Sequence, residues 1–169
     1  MKQWVWIPVL LLLCGCSTPV WETVDDLQPE AAVSRQVQLF ELQLQLPEQV
    51  QLLAADDAGT LWATADSELE IEQRVFLTTD PDSAIRAISG FTKEQLTVLQ
   101  TTRQGLPEYQ FAWVSQTDRG ARLYRADLIL DGFTCYAVVC SSLEDSGEQY
   151  AFQARQVFSS LHLQKQTLV

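Results

Sequence analysis

Histidine is nearly missing from this chain of 169 residues, in which His162 is the only copy. A Ser-His-Asp or Cys-His arrangement would have to use that residue, with Cys140, Ser141 or Ser142 as the nucleophile. No G-x-S-x-G or comparable motif surrounds these side chains. A zinc site takes several His or Cys ligands, and only His162, Cys135 and Cys140 follow residue 16. The sequence therefore predicts a non-catalytic protein without a metal ion or a cofactor.

Basic residues are also scarce, since 11 Lys and Arg stand against 22 Asp and Glu and give a formal charge of -11. Removal of an N-terminal segment containing Lys2 would make the charge one unit more negative. Nucleic acids and anionic lipid surfaces both attract a basic field, which this chain does not offer. We therefore expect no nucleic-acid partner, and no membrane binding through the folded surface.

The N-terminal apolar run, residues 4–13, is too short to cross a bilayer. It holds about ten residues, whereas a membrane-spanning helix needs roughly 20. A run of this length after a basic residue, followed by small residues, is typical of a secretory signal peptide. The sequence therefore predicts export from the cytoplasm.

The run ends in the tetrapeptide Leu13-Cys14-Gly15-Cys16, which resembles the bacterial lipobox. The resemblance implies that residues 1–15 are a lipoprotein signal peptide and that Cys16 carries a thioether-linked diacylglycerol. Acyl chains of palmitate type then hold the protein stably at the extracytoplasmic face of the cell membrane, where a single chain would bind reversibly. The alternative is that Cys14 and Cys16 are ordinary apolar residues of a signal or core helix.

The rest of the chain divides into a tether and one domain. Residues 16–35 are polar and carry Pro19 and Pro29, which is typical of a flexible linker. Residues 36–169 have the length and the apolar content of a single globular domain.

Two cysteines, Cys135 and Cys140, fall in one predicted strand. Five residues along a strand separate them by roughly 16 Å and place them on opposite faces. A disulfide needs Cα atoms within about 7 Å, so we expect two small strand residues without a bridge.

Alternating apolar residues and turn signals predict an antiparallel sheet. Asp131-Gly132 is the strongest hairpin signal, and Asp118-Arg119-Gly120 marks the turn before it. A further turn is expected at residues 56–59. The predicted strands are residues 36–46, 50–54, 60–65, 68–78, 96–102, 109–116, 121–130 and 133–142.

Two helices complete the predicted fold. Asp80 followed by Pro81 is a helix start, and Gly90 ends that helix. Thr92 with Gln95 is a possible capping box, although we favour a strand in the residues that follow. A second helix starts near Asp145 or Ser146 and carries an apolar stripe formed by Tyr150, Ala154, Val157, Phe158 and Leu161. The prediction is an α+β fold with an antiparallel sheet of about six or seven strands, a helix after the first strands and a C-terminal helix packed on the sheet.

The order of these elements resembles the PsbP/DcrB/Mog1-like superfamily. The residues that carry the resemblance are Phe40-Glu41-Leu42-Gln43-Leu44-Gln45-Leu46-Pro47-Glu48, Asp131-Gly132-Phe133-Thr134-Cys135-Tyr136 and Val157-Phe158-Ser159-Ser160-Leu161. The resemblance covers roughly residues 36–163 and implies a non-catalytic accessory or binding protein. It brings no active-site residue with it.

Two groups of charged residues are candidate sites. A calcium site would use the carboxylates of Asp56, Asp57, Asp66, Glu68, Glu70 and Glu72. Their spacing is not that of an EF-hand loop, so we expect these side chains to be solvated. Arg119, Arg122 and Arg125 are candidates for contact with an anionic ligand or a partner, but we expect them to form salt bridges with the surplus acids.

The sequence leaves two functions open. The first is an anchored envelope module that binds a protein partner and exposes an apolar patch. The second is a small-molecule module with an apolar pocket between the sheet and the C-terminal helix, lined by Trp113, Tyr124 and Tyr136.

Overall fold

Nine strands and two α-helices occupy the part of the chain that the computed structural model describes, residues 40–57 and 59–165. The strands are β1 (Phe40–Gln43), β2 (Val50–Asp56), β3 (Gly59–Thr64), β4 (Leu69–Leu77), β5 (Leu99–Arg103), β6 (Leu106–Thr117), β7 (Gly120–Asp131), β8 (Thr134–Leu143) and β9 (His162–Lys165). The helices are α1 (Pro81–Ser89) and α2 (Gly147–Ser160). None of the described helices is both long enough and apolar enough to span a membrane.

Seven of the strands form one antiparallel sheet in the order β2-β3-β4-β8-β7-β6-β5, and β1 pairs with β9 in a separate two-stranded sheet. The predicted α+β class, with a seven-stranded antiparallel sheet and a C-terminal helix, is confirmed. The small sheet of β1 and β9 was not predicted, since residues 36–46 were expected to form one longer strand of the main sheet.

The three predicted hairpin turns are confirmed. Asp131 pairs with Thr134 across the β7–β8 turn, Thr117 pairs with Gly120 across the β6–β7 turn, and Asp56 pairs with Gly59 across the β2–β3 turn. Two-residue turns of this kind fix the register of their strands, so each turn determines which side chains face each other far along the hairpin.

Strand β8 is buried on both faces and separates two hydrophobic cores. Nine of its ten residues are buried. Cys140 contributes to the core on one face of the sheet and Cys135 to the core on the other, and both are free thiols, as predicted.

The α2-side core lies between the sheet, α2 and the small sheet. It contains Leu42, Leu69, Ile71, Ile129, Tyr136, Val138, Cys140, Tyr150, Ala154, Val157, Leu161 and Leu163. The predicted apolar stripe of α2 is confirmed, because Tyr150, Ala154 and Val157 are buried here. Ser146 precedes the helix, but its side chain makes no capping hydrogen bond.

The α1-side core lies on the opposite face of the sheet. It contains Ala84, Ile85, Tyr109, Phe111, Trp113, Ala126, Leu128, Leu130, Cys135, Ala137 and Val139. Helix α1 begins and ends as predicted. Asp80 accepts hydrogen bonds from the backbone N–H groups of Asp82 and Ser83, Pro81 takes the first helical position, and Gly90 ends the helix with a φ of 78°.

Two predicted strands differ in detail from the structure. Thr92 and Gln95 do form a capping box around a one-turn 3₁₀ helix, so the strand expected from residue 96 begins only at Leu99. Val75 and Leu77 were expected in the core but are 39% and 82% exposed. Both lie on the same face of the sheet as the buried Leu69 and Ile71, so the alternation is correct. They stand at the other end of β4, which no element of the described residues covers.

The turn between β5 and β6 holds the small sheet in place. Gln104 has a φ of 52°, which is unusual for a residue with a side chain. Its side-chain amide accepts a hydrogen bond from the backbone N–H of Leu163 at 2.7 Å and donates one to the Leu163 carbonyl at 3.0 Å. The amide thereby pairs with β9 as a neighbouring strand would.

The β7–β8 turn supplies the first testable prediction. Gly132 has a φ of 56°, and a β-branched residue in this left-handed region costs on the order of 1–2 kcal/mol. We expect Gly132→Val to lower the free energy of unfolding by more than about 1 kcal/mol in urea denaturation. Gly132→Asn is the matched control and should cost less, because asparagine tolerates this conformation. Equal midpoints for the two variants would contradict the turn assignment.

Candidate functional site

A cleft of about 530 Å³ lies between α2 and strands β6 and β7. We call it the α2 cleft, and its wall includes Gln110, Ala112, Arg125, Asp127, Arg155 and Phe158. The runner-up prediction of a pocket between the sheet and the C-terminal helix is therefore correct in position.

The register of the β6–β7 hairpin brings the polar floor of the cleft together. Gln110 pairs with Asp127, and Ala112 pairs with Arg125. Paired residues of antiparallel strands share a face, and Ile129, two residues beyond Asp127, belongs to the α2-side core. These side chains therefore face α2.

Helix α2 forms the other wall because it packs mainly over β8, and the β6 residues Ala112 and Val114 on this face are exposed. Arg155, which is exposed, and Phe158, which is partly buried, lie beside the buried stripe on the flank of the helix that borders the cleft. The cleft is thus the space between the flank of the helix and the uncovered strands.

Two arginines of the cleft have no acidic partner in the described residues. The ion pairs within residues 40–57 and 59–165 join other groups, so Arg125 and Arg155 form none. The Nε of Arg155 donates to the carbonyl of Ala151 in its own helix at 3.2 Å. The expectation that Arg125 is neutralised by a surplus acid was wrong.

The other two arginines singled out in the sequence have structural contacts. Arg122 is buried, forms an ion pair with Glu70 at 3.2 Å and donates from Nε to the Ser141 hydroxyl at 2.8 Å. The prediction of an ion pair is thus confirmed for Arg122. Arg119 donates to the backbone carbonyl of Asp66 at 2.8 Å and forms no ion pair with the described residues, so the prediction was wrong for Arg119.

A buried charged network adjoins the cleft at the end of β5. Arg103 contacts Glu108 at 2.6 Å and Asp127 at 3.2 Å, and donates to the Leu161 carbonyl at 3.0 Å. Gln110 donates to Glu108 at 3.1 Å and to Asp127 at 3.4 Å. This network ties the hairpin to the end of α2.

The pKa values of the two carboxyls in this network, Asp127 and Glu108, are shifted in opposite directions. Burial, together with the hydrogen bond to Glu108 and the charge of Glu108, raises the pKa of Asp127 to about 8. Burial also acts to raise the pKa of Glu108, but hydrogen bonds from Asp127, Arg103 and Gln110 outweigh it and leave that pKa lowered. The proton of the pair therefore resides on Asp127 at neutral pH.

Asp127 also holds an unused polar atom. The residue is 1% exposed, and its Oδ1 is buried without a hydrogen-bond partner in the described part of the chain. Asp127 was not among the predicted site residues, although an aspartate inside the apolar run Ala126-Asp127-Leu128-Ile129-Leu130 indicates a buried polar group.

The aromatic residues predicted to line the pocket lie elsewhere. Trp113 and Tyr124 stack with ring centroids 5.0 Å apart on the α1 side of the sheet, away from α2. Tyr136 is buried in the α2-side core, and its hydroxyl accepts a hydrogen bond from the backbone N–H of Phe40 at 3.1 Å. The proposed lining was therefore wrong, because these residues fill the two cores.

The residues weighed for nucleophilic catalysis are not brought together. His162 is exposed in β9, and its Nδ1 lies 3.0 Å from the carbonyl of Ser160. Ser141 is buried and bonded to Arg122. Burial raises the pKa of the thiols of Cys135 and Cys140 to about 12, which keeps them protonated at neutral pH.

Two other predictions concern metal ions and lipid. In the described ranges, no group of three or more His, Cys, Asp or Glu side chains is placed to hold a metal ion. Residues 1–39, which include Cys16, the predicted signal peptide at residues 1–15 and the predicted tether at residues 16–35, lie outside the described residues, so the lipid anchor stays a prediction.

The raised pKa of Asp127 gives a prediction about stability and pH. An unfolded aspartate releases its proton near pH 4, whereas folded Asp127 holds it to about pH 8. The folded state therefore binds more protons in this window, so the Asp127 contribution lowers the free energy of unfolding as the pH rises through it.

We expect Asp127→Asn to remove this contribution, because the amide can still donate to Glu108 but cannot ionise. The stability of Asp127→Asn relative to wild type should rise from pH 4 to pH 8, by roughly 5 kcal/mol in urea denaturation series. Asp118→Asn, in the exposed turn of the same hairpin, is the control. A relative stability that is flat or falls across this range would refute the assignment of the proton.

Comparisons with known proteins place the fold. No protein-family profile matches the sequence, and no curated protein sequence matches it significantly. Solved structures do match. A protein of Bacteroides thetaiotaomicron aligns with a TM-score of 0.52 and 11% identity over 74% of this chain, which spans only 46% of that protein.

Two further structures match over most of their own length. LpqN of Mycobacterium tuberculosis, described as involved in cell envelope biogenesis, has a TM-score of 0.50 and 14% identity, covering 77% of this chain and 87% of its own. Cyanobacterial PsbP (CyanoP) of Synechocystis has a TM-score of 0.52 and 12% identity, covering 76% of this chain and 95% of its own. At these identities the likeness concerns the fold alone, and the domain is PsbP-like in its fold.

Proposed function

We propose that this chain is a lipid-anchored accessory protein of the cell envelope. In this proposal a diacylglycerol on Cys16 holds it at the extracytoplasmic face of the membrane, and residues 16–35 connect the anchor to the domain. The domain acts by binding another molecule rather than by catalysis.

The observation that carries the proposal is the sequence Leu13-Cys14-Gly15-Cys16 at the end of a short apolar run. A thiol at the first mature position is what lipid transfer requires, and the small residues before it suit cleavage. The PsbP-like fold adds support, because a protein with this fold, LpqN, is described as involved in cell envelope biogenesis. The acidic surface also favours an anchor, since it offers no basic field for anionic lipid.

A binding role is supported by how the buried polar groups are used. Arg103 and Arg122 contact carboxylates and backbone carbonyls that link separate strands, which is a structural task. The buried thiols of Cys135 and Cys140 are held in their unreactive protonated form. Arg125 and Arg155 of the α2 cleft, by contrast, form no ion pair with the described residues.

The outer strand β2 is the surface best suited to a protein partner. It is an edge of the seven-stranded sheet as described, so its outer backbone groups have no strand beside them. Leu52 and Leu53 are 58% and 51% exposed on this strand, and the register shifts between Leu52 and Ala54. An exposed edge with apolar side chains is a site for the addition of a strand from another protein.

A second candidate function is a ligand-binding module. The α2 cleft favours it, because a concave site of this volume with a few convergent polar groups is the usual form of a small-molecule site. The two functions are compatible, since β2 and α2 lie on different parts of the domain.

The anchor is tested by Cys16→Ser in the native host. We expect this variant to lose incorporation of labelled palmitate and to remain as an uncleaved precursor, because a hydroxyl cannot accept the thioether-linked lipid. Cys14→Ser is the matched control and should be labelled and cleaved as the wild type is. Equal labelling of the two variants would refute Cys16 as the site.

The partner surface is tested by site-specific photocrosslinking in cells. A benzophenone amino acid at Leu52 should give one discrete cross-linked band, identified by mass spectrometry, whereas the same probe at Phe152 should not. Phe152 is a suitable control because it is 60% exposed and lies on α2. The same pattern of bands from both positions, or none from Leu52, would contradict a partner at the β2 edge.

A further inference from the structure

We propose that the α2 cleft binds a small organic anion, whose oxyanion is held by Arg125 and Arg155 and whose apolar part lies along Phe158. This inference rests on the ligand-binding function proposed above and names the chemical class of the ligand. The anion is a carboxylate or a phosphate monoester, since both present the same paired oxygens to a guanidinium.

The first argument is charge. The chain has twice as many acidic as basic residues, 22 against 11. Among the described arginines, Arg74, Arg103 and Arg122 form ion pairs, whereas Arg86 and Arg119 form none and do not line the cleft. Arg125 and Arg155 form none with the described residues and yet line the same cleft. Two unmatched guanidiniums at one concave site attract an anion.

The second argument is position. Arg125 comes from the sheet and is half-buried, whereas Arg155 comes from the helix and is exposed. An anion between them is contacted from the floor and from one wall of the cleft. The planar guanidinium suits this task, because it binds two oxygens at once and loses little hydration.

The third argument is Asp127, which lines the cleft and would repel an anion if it were ionised. Its carboxyl is 1% exposed and shares hydrogen bonds with Arg103 and Gln110. Because the pKa of Asp127 is raised to about 8, the group is neutral at neutral pH. The single proton lies in the hydrogen bond to Glu108, so the unpartnered Oδ1 belongs to a neutral acid and brings no negative charge to the cleft.

The fourth argument is the rest of the wall. Most of its surface is carbon, and Ala112 and Phe158 contribute to it. A cleft of about 530 Å³ is also much larger than an inorganic anion. The ligand must therefore carry an apolar group beside its charged end.

The test uses the full-length protein in lipid nanodiscs, with empty nanodiscs as the blank, and four probes. These are 4-phenylbutyrate, phenyl phosphate, the uncharged 4-phenylbutan-1-ol and inorganic phosphate, each titrated by calorimetry at pH 7. We expect the two organic anions to bind at least about tenfold more tightly than the alcohol or inorganic phosphate.

Variants then locate the site. Arg125→Gln and Arg155→Gln should each weaken binding of both organic anions about tenfold, and raised salt should weaken it in the wild type. Arg86→Gln removes an exposed charge from α1 on the opposite side of the sheet and should leave binding unchanged. Circular dichroism checks that each variant is folded. If Arg125→Gln does not fold, Arg155→Gln still tests the site, because Arg155 is exposed on its helix and its substitution should not disturb the fold.

Four results would overturn the inference. If the alcohol binds as tightly as the organic anions, the cleft does not select anions. The inference would then be wrong, whereas the ligand-binding function would still hold. If inorganic phosphate binds as tightly as phenyl phosphate, the apolar group of the ligand contributes nothing to binding, and the proposed contact with Phe158 is wrong. Equal losses in Arg86→Gln would indicate a general charge effect. No binding of any probe at 10 mM would refute both the inference and the ligand-binding function.

Discussion

The burial of β8 on both faces is the constraint on which the rest of the domain depends. A strand with nine of ten residues buried needs a partner on each edge and a layer on each face. Strands β4 and β7 supply the edges, and α1 and α2 lie over opposite faces. Elements far from β8 are correspondingly less covered, and this is why β2 is almost wholly exposed and why Ala112 and Val114 of β6 are exposed beside α2.

Local signals predicted most of the secondary structure, because turns and caps depend on neighbouring residues. The Asp131-Gly132 turn, the Asp80-Pro81 helix start and the stripe of α2 are examples. Predictions that needed the position of another element failed more often. Trp113 and Tyr124 alternate correctly along their strands, but nothing local indicates which face α2 will cover. Strand β9 has four residues, too few for a pattern.

Only part of the candidate site could be predicted from the sequence. Its position between sheet and helix followed from the fold, and the β6–β7 turn already determines that Gln110 faces Asp127. The unpaired state of Arg125 did not follow, because it depends on where all the acids of the domain lie. Arg103 and Arg125 are only two strands apart, yet Arg103 is surrounded by carboxyls and Arg125 is not. Surplus acid in the composition thus says little about any one arginine.

The small sheet has a mechanical consequence. A pulling force that reaches the domain through the chain before Phe40 acts on a ladder of four residue pairs, from its Phe40–Lys165 end. Such a load peels hydrogen bonds one after another instead of shearing them together. Strand β9 is held to the turn before β6 through Gln104. Strand β1 is tied to the main sheet by the hydrogen bonds from the Phe40 N–H to the Tyr136 hydroxyl and from Gln73 to the Leu42 carbonyl. These two hydrogen bonds and the four-pair ladder are therefore the contacts that such a load strains first.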